Sequence, residues 1–272
     1  ALLLASALVF AAMVMPEAQA AVAVDTDAAC TVKFSDAVPE NQDEVSENNV
    51  PVTINLYKVA EIDEAGRYTE IAPFSGLGLD EVSSETTAEW WESCAEAAFG
   101  KVTEDMTAAW SGTTSGGEVT TTVLETGMYL IVPQEAESAY YTFNFEPTLV
   151  SLPDNYYYDE NSGGNDDWEY NPVITLKPEQ TERLGNVEIN KNLLHVNTSV
   201  GNNATFVYQV SYTTPRGETR TELATVDLSE GNTEGMTVLV EGIPAGSQVT
   251  VTEEYTGAGY ELVASANEGG TT

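Results

Sequence analysis

The chain has 272 residues, and its 44 acidic side chains against 9 basic ones give a formal net charge of −35 at pH 7. Phosphate recognition needs clustered lysine and arginine, so this composition excludes a nucleic-acid-binding protein. The single histidine, His195, excludes most metal sites and histidine-dependent catalytic triads. We therefore expect no enzyme, no metal and no cofactor, in a chain whose length and 42% hydrophobic content suit two packed domains.

The first residues predict export. Residues 1–15 form an apolar run that is too short to span a bilayer, and Pro16 and the small-residue pattern Ala18-Gln19-Ala20 follow it. This pattern is typical of the apolar core and cleavage site of a secretory signal peptide. We expect residues 1–20 to be a signal peptide that lacks its basic leader, a mature chain that begins near Ala21, and no membrane span.

Two cysteines, Cys30 and Cys94, lie in the expected mature chain. An even pair in an oxidising exterior favours a disulfide, which across so long a loop stabilises a fold by about 4 kcal/mol through its effect on the unfolded chain. A reducing habitat would instead favour two buried free thiols. The sequence predicts the disulfide and leaves the free thiols as the alternative.

Hydrophobic periodicity predicts strands and one helix in the first part of the chain. From residue 50 apolar and polar residues alternate, with Lys58 on the apolar face and Glu61 on the other, which indicates a half-buried antiparallel strand. Helical spacing follows, with Gly100 as the expected C-cap, at Trp90, Trp91, Cys94, Ala97 and Ala98. Further strands are expected at 67–71, 118–123, 127–132, 139–145, 148–151 and 168–176. The polar run 178–183 predicts a linker and a domain boundary.

Beyond that run, short strands and turn signals continue without a helix. Strands are expected at 187–193, 204–213, 220–228, 237–241 and 248–255. This spacing is typical of a β-sandwich with Greek-key-like connections. The sequence therefore predicts a mainly β fold, with two tandem immunoglobulin-like β-sandwiches at 21–182 and 183–272 and a short helical insertion in the first.

The loop at 153–167 raises two functional alternatives. Its acids and amides at 161–167 lack the glycine and final glutamate of a calcium loop, so a solvated turn is favoured. Aromatic residues in and after the loop, beside acidic residues, are candidates for a sugar-binding platform: Tyr156, Tyr157, Tyr158, Trp168 and Tyr170. A secreted carbohydrate-binding module is therefore a second hypothesis, whereas a two-carboxylate glycosidase lacks any recognisable acid pair.

Two lysines fall on apolar strand faces, Lys58 in the first domain and Lys191 in the second. In strand 248–255, Glu253 shares the face of Val249 and Val251, which points a carboxyl group inward as well. An ordinary ion pair, or lysine stems that pack while their amines reach water, explains this pattern. The alternative is an intramolecular isopeptide bond, in which a buried neutral amine attacks an asparagine carboxamide that a protonated glutamate polarises. Spacing by itself does not decide between them.

Several stretches of the chain resemble known surface-protein domains. Residues 184–260 resemble the collagen-adhesin B-type (CnaB-like) domains of Gram-positive pilins and surface proteins, through LGNVEINKNL, the loop GIPAGS and the strand VTVTEEYTGAGY. Residues 50–177 resemble the N-terminal domain of sortase-assembled pilin subunits, through LYKVAEIDEAGRY, LETGMYLIVP and YTFNFEPTLVSLP. The matching stretches occur in the family's order over nearly the whole mature chain.

The resemblance implies a non-enzymatic structural or adhesive protein of a Gram-positive cell wall, with sortase, neighbouring pilin subunits and a host or glycan ligand as partners. Lys191 matches the family's first-strand lysine, and Glu253 matches the acid that promotes the isopeptide bond. The family's asparagine lies in a final strand, which is not recognisable before Thr272, and Asn267 lies in a loop-like stretch. We therefore expect the second domain to be truncated at its C-terminus.

Two further lysine sites follow from the resemblance. Major pilins carry a linking lysine near the end of the first domain. Lys177 lies in the matching region, although Lys177-Pro178 reverses the family's Pro-Lys order; the alternative is an ordinary surface lysine. Within the first domain, Lys58 and Glu125 are a weaker pair of isopeptide candidates.

Overall fold

A computed structural model describes residues 22–35, 50–83, 85–154, 168–200, 204–228 and 236–263. Within these ranges the chain is mainly β and contains a single α-helix, which confirms the predicted fold class. The expected signal peptide at 1–20, the loop residues 155–167 and Asn267 lie outside the described residues.

The first part of the chain is built around one antiparallel sheet. Its helix is α1 (Ala88–Phe99), preceded by a short 3-10 helix at Leu79–Glu81. Its strands are β1 (Lys33–Ser35), β2 (Thr53–Ile62), β3 (Tyr68–Glu70), β4 (Trp110–Thr113), β5 (Glu118–Thr120), β6 (Gly127–Pro133), β7 (Ala136–Glu137), β8 (Tyr141–Phe145), β9 (Thr148–Leu152), β10 (Val173–Thr175) and β11 (Pro178–Glu182). The central sheet has the order β3-β2-β6-β9, with β4 also paired to β2.

Strand β2 forms as predicted, but it supplies apolar side chains to both faces of the central sheet, whereas its alternation predicted a half-buried strand. Ile54 and Leu56 face a core that is closed by two three-stranded sheets, β10-β1-β5 and β11-β8-β7. Tyr57 and Val59 face the opposite core, which helix α1 covers. The central sheet is therefore buried on both sides.

Helix α1 ends at the predicted residue, and the structure shows the cap at its start. The Thr87 side chain accepts a hydrogen bond from the Trp90 backbone N–H at 3.3 Å, and Gly100 ends the helix. The buried face includes Ala95, whereas Ala97, which the predicted spacing placed on that face, is exposed. The prediction of a helix that ends at Gly100 is confirmed, with its inner face rotated slightly from the expected one.

The predicted linker at 178–183 is wrong for most of its length. Residues Pro178–Glu182 form β11, which pairs antiparallel with β8 in the register Gln180 opposite Phe143. β11 is an edge strand whose side chains are half exposed, so it has no apolar face. Only its backbone hydrogen bonds to β8 make it a strand, and the hydrophobic pattern could not predict it. The predicted strand at 168–176 is likewise shorter, since only Val173–Thr175 pairs within a sheet.

The second part of the chain is an unequal sandwich. Its strands are β12 (Leu184–Lys191), β13 (Thr205–Thr213), β14 (Thr219–Asp227), β15 (Met236–Pro244) and β16 (Gln248–Tyr255), with a short 3-10 helix at Thr198–Val200. A three-stranded sheet, β14-β13-β16, faces the two-stranded sheet β12-β15. Val249 and Val251 on edge strand β16 are 37% and 36% exposed, because the smaller sheet does not cover them.

Arg183 connects the two parts of the chain through three hydrogen bonds. Its backbone N–H donates to the Tyr140 carbonyl at 2.8 Å, and its own carbonyl accepts from the Ala245 N–H at 2.7 Å. Its guanidinium donates to the Ser138 carbonyl at 2.7 Å. Gly246 has φ +77° and lies against the Tyr140 ring, where a Cβ atom would come within 2.2 Å of Cε1. The division into domains at 182/183 stays a prediction, and the chain crosses that point without a free linker.

Candidate functional site

Lys191 is the last residue of β12, and its side chain points between the two sheets. Exposure along the second half of β12 alternates, so that Ile189 and Lys191 are buried while Glu188 and Asn190 are exposed. The Lys191 side chain is only 11% exposed. Strand parity predicted this inward orientation, and the structure confirms it.

Glu253 on β16 lies directly against this lysine. Its side chain is 6% exposed, and its Oε1 atom is 2.7 Å from Lys191 Nζ. Strands β12 and β16 are edge strands of opposite sheets, so the salt bridge links the two sheets across one side of the sandwich. The structure therefore brings together the two residues that the sequence singled out; their role in a covalent bond stays a prediction.

Aromatic rings surround the pair. Lys191 Nζ lies 4.5 Å from the centroid of the fully buried Phe206 ring, and Phe206 packs edge-to-face on Tyr260 at 5.5 Å. Burial, with a smaller contribution from the charge of Glu253, raises the pKa of Tyr208 to about 12. Strand parity did not single out these aromatic residues, although the alternation of β13 marks Phe206 and Tyr208 as inward-facing. In such surroundings an unpaired charge is costly, so each ion needs the other.

Lys58 has a different environment from Lys191. Its Nζ atom is 2.7 Å from Glu61 Oε2 and 3.0 Å from Glu125 Oε2, and both carboxylates are largely exposed. A β-bulge between Lys58 and Ala60 brings Glu61 to the lysine, whereas parity placed it on the opposite face. Burial lowers the pKa of Lys58, but the hydrogen bonds that its ammonium donates to the Glu61 and Glu125 carboxylates outweigh burial, and the net pKa is raised. A lysine held in its charged form is a poor nucleophile, so this geometry favours an ion pair.

Lys177, the predicted linking lysine, is exposed between β10 and β11. Its position leaves the amine accessible to another protein, and its use in linkage stays a prediction. In the parts of the chain that the structure describes, we find no helix with the length and apolar character needed to cross a membrane.

Two aromatic residues of the predicted sugar platform hold the N-terminal segment instead. The Trp168 indole N–H donates to the Val22 carbonyl at 2.7 Å, and the Asp25 backbone N–H donates to Tyr170 Oη at 2.8 Å. Between these contacts Val24 is buried. The three tyrosines at 156–158 lie outside the described residues, and nothing in the described part of the chain supports a sugar-binding platform.

The two cysteines are both buried and free, so the disulfide prediction is wrong and the alternative of two thiols holds. Cys30 belongs to the core on one face of the central sheet, and Cys94, on α1, belongs to the core on the other face. The sheet itself separates the sulfur atoms. Burial raises the pKa of each thiol to about 11.

One protein-family model matches the chain. It is described as a domain of unknown function (DUF5979), and it matches residues 187–272, which is most of the second sandwich. None of the curated proteins matches the chain. The matching family therefore assigns no function, and it covers less than half of the sequence.

Solved structures of pilins are similar to the chain. The full-length major pilin SpaD of Corynebacterium diphtheriae is 14% identical with a TM-score of 0.34, covering 80% of this chain and 57% of that one. The major pilin SpaA of the same organism, described as pointing to a modular pilus assembly with stabilising isopeptide bonds, is 16% identical with a TM-score of 0.36, covering 87% of this chain and 66% of that one. The basal pilin SpaE of Lactobacillus rhamnosus GG is 13% identical with a TM-score of 0.30, covering 87% and 82%.

These three proteins are pilin subunits of Gram-positive bacteria. The chain spans less than two thirds of the length of the SpaD and SpaA chains. Identities and TM-scores this low establish nothing about function, which has to be inferred from the residues of this chain.

Proposed function

We propose that this chain is a non-enzymatic structural or adhesive protein of a Gram-positive cell surface, a pilin-like subunit that is exported through residues 1–20. Its domains would be 21–182 and 183–272. One observation carries the proposal: Lys191 Nζ and Glu253 Oε1 lie 2.7 Å apart and nearly buried between edge strands of opposite sheets. The CnaB-like sequence around both residues supports the same role. A buried ion pair is weak evidence for stability alone, so a chemical role explains it better.

The chemistry open to this pair is the formation of a covalent cross-link. The reaction requires transfer of a proton from the Lys191 ammonium to the Glu253 carboxylate, which leaves a neutral amine and a neutral acid. The amine attacks the carbonyl carbon of an asparagine carboxamide while Glu253 donates a hydrogen bond to the carboxamide oxygen. One C–N bond forms, the original C–N bond of the carboxamide breaks, and one ammonia leaves. The resemblance places that asparagine in a later strand.

Such a bond suits a protein that extends from a surface. It would tie β12 covalently to a neighbouring strand and resist separation of the sheets under tension. The net charge of −35 suits the same setting, because strong mutual repulsion keeps extended surface chains soluble and apart. Sortase and neighbouring subunits are the partners that this role requires, with a host or glycan ligand where the protein is adhesive.

The test of the cross-link is the intact mass, after reduction, of the full-length gene product. We expect the wild type to weigh one ammonia less than its sequence mass, and Lys191→Ala and Glu253→Ala to have their full masses. Lys58→Ala is the matched control, because it removes the other partly buried lysine and should keep the loss. A wild type of full mass would overturn the covalent role and leave Lys191 and Glu253 as an ordinary buried pair.

The test of assembly uses Lys177. Incubation of the full-length gene product with a pilin-class sortase should give a ladder of covalent multimers, and Lys177→Arg should abolish it. Lys33→Arg is the control, since Lys33 is another exposed lysine, on β1, paired with Glu118. A ladder that survives Lys177→Arg would place the linkage elsewhere, and the absence of any ladder would indicate an unpolymerised surface protein.

A further inference from the structure

The outer face of the three-stranded sheet has no charged side chain along most of its length. On β13 the even-numbered residues from Phe206 to Tyr212 point into the core, so the intervening side chains face outward. Two central rows that cross this face are Thr221-Ser211-Thr250 and Leu223-Gln209-Thr252. We call the outward side chains of 207–213, 219–225 and 248–252 the neutral face. All of them are hydroxyl, amide or aliphatic groups.

This composition contrasts with the rest of the molecule, in which acidic side chains outnumber basic ones by about five to one. The outer face of the opposite sheet shows the usual pattern. There, Glu188 on β12 is exposed opposite Leu239 on β15, and Glu241 is also exposed. In a chain this acidic, a sheet face of three strands without a carboxylate is a specific feature of the sequence.

The neutral face carries paired hydroxyl groups and one exposed leucine on its edge strand β14. Ser211 Oγ and Thr221 Oγ1 are 3.1 Å apart, and Thr213 Oγ1 and Thr219 Oγ1 are 3.2 Å apart, so these hydroxyl groups bond to each other along the surface. Leu223, 68% exposed, lies in one of the two central rows. Charged residues are depleted at the core of protein interfaces, and the neutral face shares that depletion.

We propose that the neutral face is a contact surface between two copies of this chain, packed face to face around Gln209 and Leu223. Two molecules of charge −35 repel each other, and they approach at least cost where no carboxylate opposes another. A two-fold contact needs a single self-complementary patch, and the neutral face supplies one. The association does not depend on the proposed function.

The size of the face sets the strength of the contact. Three strands spaced about 4.8 Å apart and seven residues long at about 3.3 Å each cover roughly 300 Å² per copy. The pair therefore buries roughly 600 Å², below the lower limit of about 1,200 Å² for stable complexes. The contact is weak in solution.

Concentration-dependent association of the purified chain tests the proposal. Sedimentation equilibrium and backbone amide chemical shifts are recorded from about 0.02 to 2 mM protein, at about 0.05 M and 0.5 M salt. We expect the average mass to rise with concentration, and shift changes to concentrate at 205–213, 219–227 and 248–255. Added salt should strengthen the association, because it screens the net repulsion while the contact itself has no ion pairs.

Matched variants locate the contact. Leu223→Glu and the isosteric Gln209→Glu each place two carboxylates opposite one another across the two-fold axis, and we expect either to weaken association about tenfold or more. Leu239→Glu is the control, since it puts the same charge at an exposed leucine on the other sheet. Thermal melts show that each variant is folded, and Gln209→Glu keeps the test valid if Leu223→Glu destabilises the fold.

Three results would overturn the proposal: a chain that stays monomeric to about 2 mM at either salt concentration, association that Leu239→Glu weakens as much as Leu223→Glu does, or shift changes that lie on another surface. Titration of the monomeric chain with a neutral polysaccharide then shows whether the same face binds a glycan instead of a second copy.

Discussion

In the chain before any cross-link has formed, replacing Lys191 with methionine should destabilise the second sandwich by about 3–5 kcal/mol. Methionine preserves most of the side-chain volume, but it leaves Glu253, which is 6% exposed, without the cation that now lies 2.7 Å away. The contact of the ammonium with the Phe206 ring, worth about 0.5–2 kcal/mol, is lost as well. Glu253→Leu alone leaves the lysine unpaired, with a similar cost. The double variant Lys191→Met/Glu253→Leu removes both charges and should recover most of the loss.

Urea unfolding measured by two probes separates this effect from a general one. All four tryptophans lie before residue 183, at 90, 91, 110 and 168, so their fluorescence reports only on the first part of the chain. Far-ultraviolet circular dichroism reports on both parts. We expect Lys191→Met to shift the circular dichroism transition and to leave the tryptophan transition in place. A loss below about 1 kcal/mol, or a double variant no more stable than either single one, would refute the idea that the pair is buried and mutually dependent.

Two other predictions concern the first part of the chain and the junction. Burial raises the pKa of Glu70, but its hydrogen bonds from backbone N–H groups, such as that of Leu79 at 2.9 Å, outweigh burial and lower it. The stabilisation that the ionised Glu70 side chain gives to the fold is therefore fully present above its ordinary pKa of 4.5. It is lost as the pH falls through the lower pKa that Glu70 has in the folded protein. Amide exchange at Leu79 should speed up there, and Glu70→Gln, which costs about 1 kcal/mol, should remove this pH dependence. Gly246→Val should speed amide exchange at Arg183, because the new side chain meets the Tyr140 ring. Gly242→Val is the control, because Gly242 has the same φ of +77° and no atom within 4 Å of the added Cβ, so it should leave amide exchange at Arg183 unchanged. If the two variants sped exchange at Arg183 equally, the contact between Gly246 and the Tyr140 ring would not hold the junction.

Much of the second sandwich could be predicted from its sequence because its central strand is buried on one face only. Along β13 apolar and polar residues alternate except at the outward-facing Val207, and the predicted range 204–213 matches Thr205–Thr213 almost residue for residue. β11 could not be predicted in this way. Its residues Pro178–Glu182 are mostly polar and half exposed. They form a strand through hydrogen bonds to β8, and the hydrophobic pattern of a sequence does not show such bonds.

Some contacts of the candidate site were predictable from the sequence, and others were not. Lys191 and Glu253 are 62 residues apart, but the period of two places both inside one small sandwich, where buried opposite charges have to meet. The Lys58–Glu61 contact depends on a bulge, which reverses parity at a point that the sequence does not mark. The contact of Trp168 with Val22 spans 146 residues and involves a backbone carbonyl, so side-chain patterns carry no information about it.

The position of the two cysteines gives a final prediction about the first part of the chain. Since the central sheet lies between Cys30 and Cys94, the protein should keep two free thiols even after exposure to an oxidant. With each thiol pKa near 11, only about one molecule in a thousand carries a given thiolate at pH 8, and burial slows reagents further. Alkylation without reductant should therefore be slow in the native protein and add two groups after denaturation, with Cys94→Ser, the control, adding one. If denaturation alone exposed no reactive thiol, the sulfur atoms would be bonded to each other. The sheet could not then lie between them, and the arrangement of helix α1 over one face and β1 over the other would be wrong.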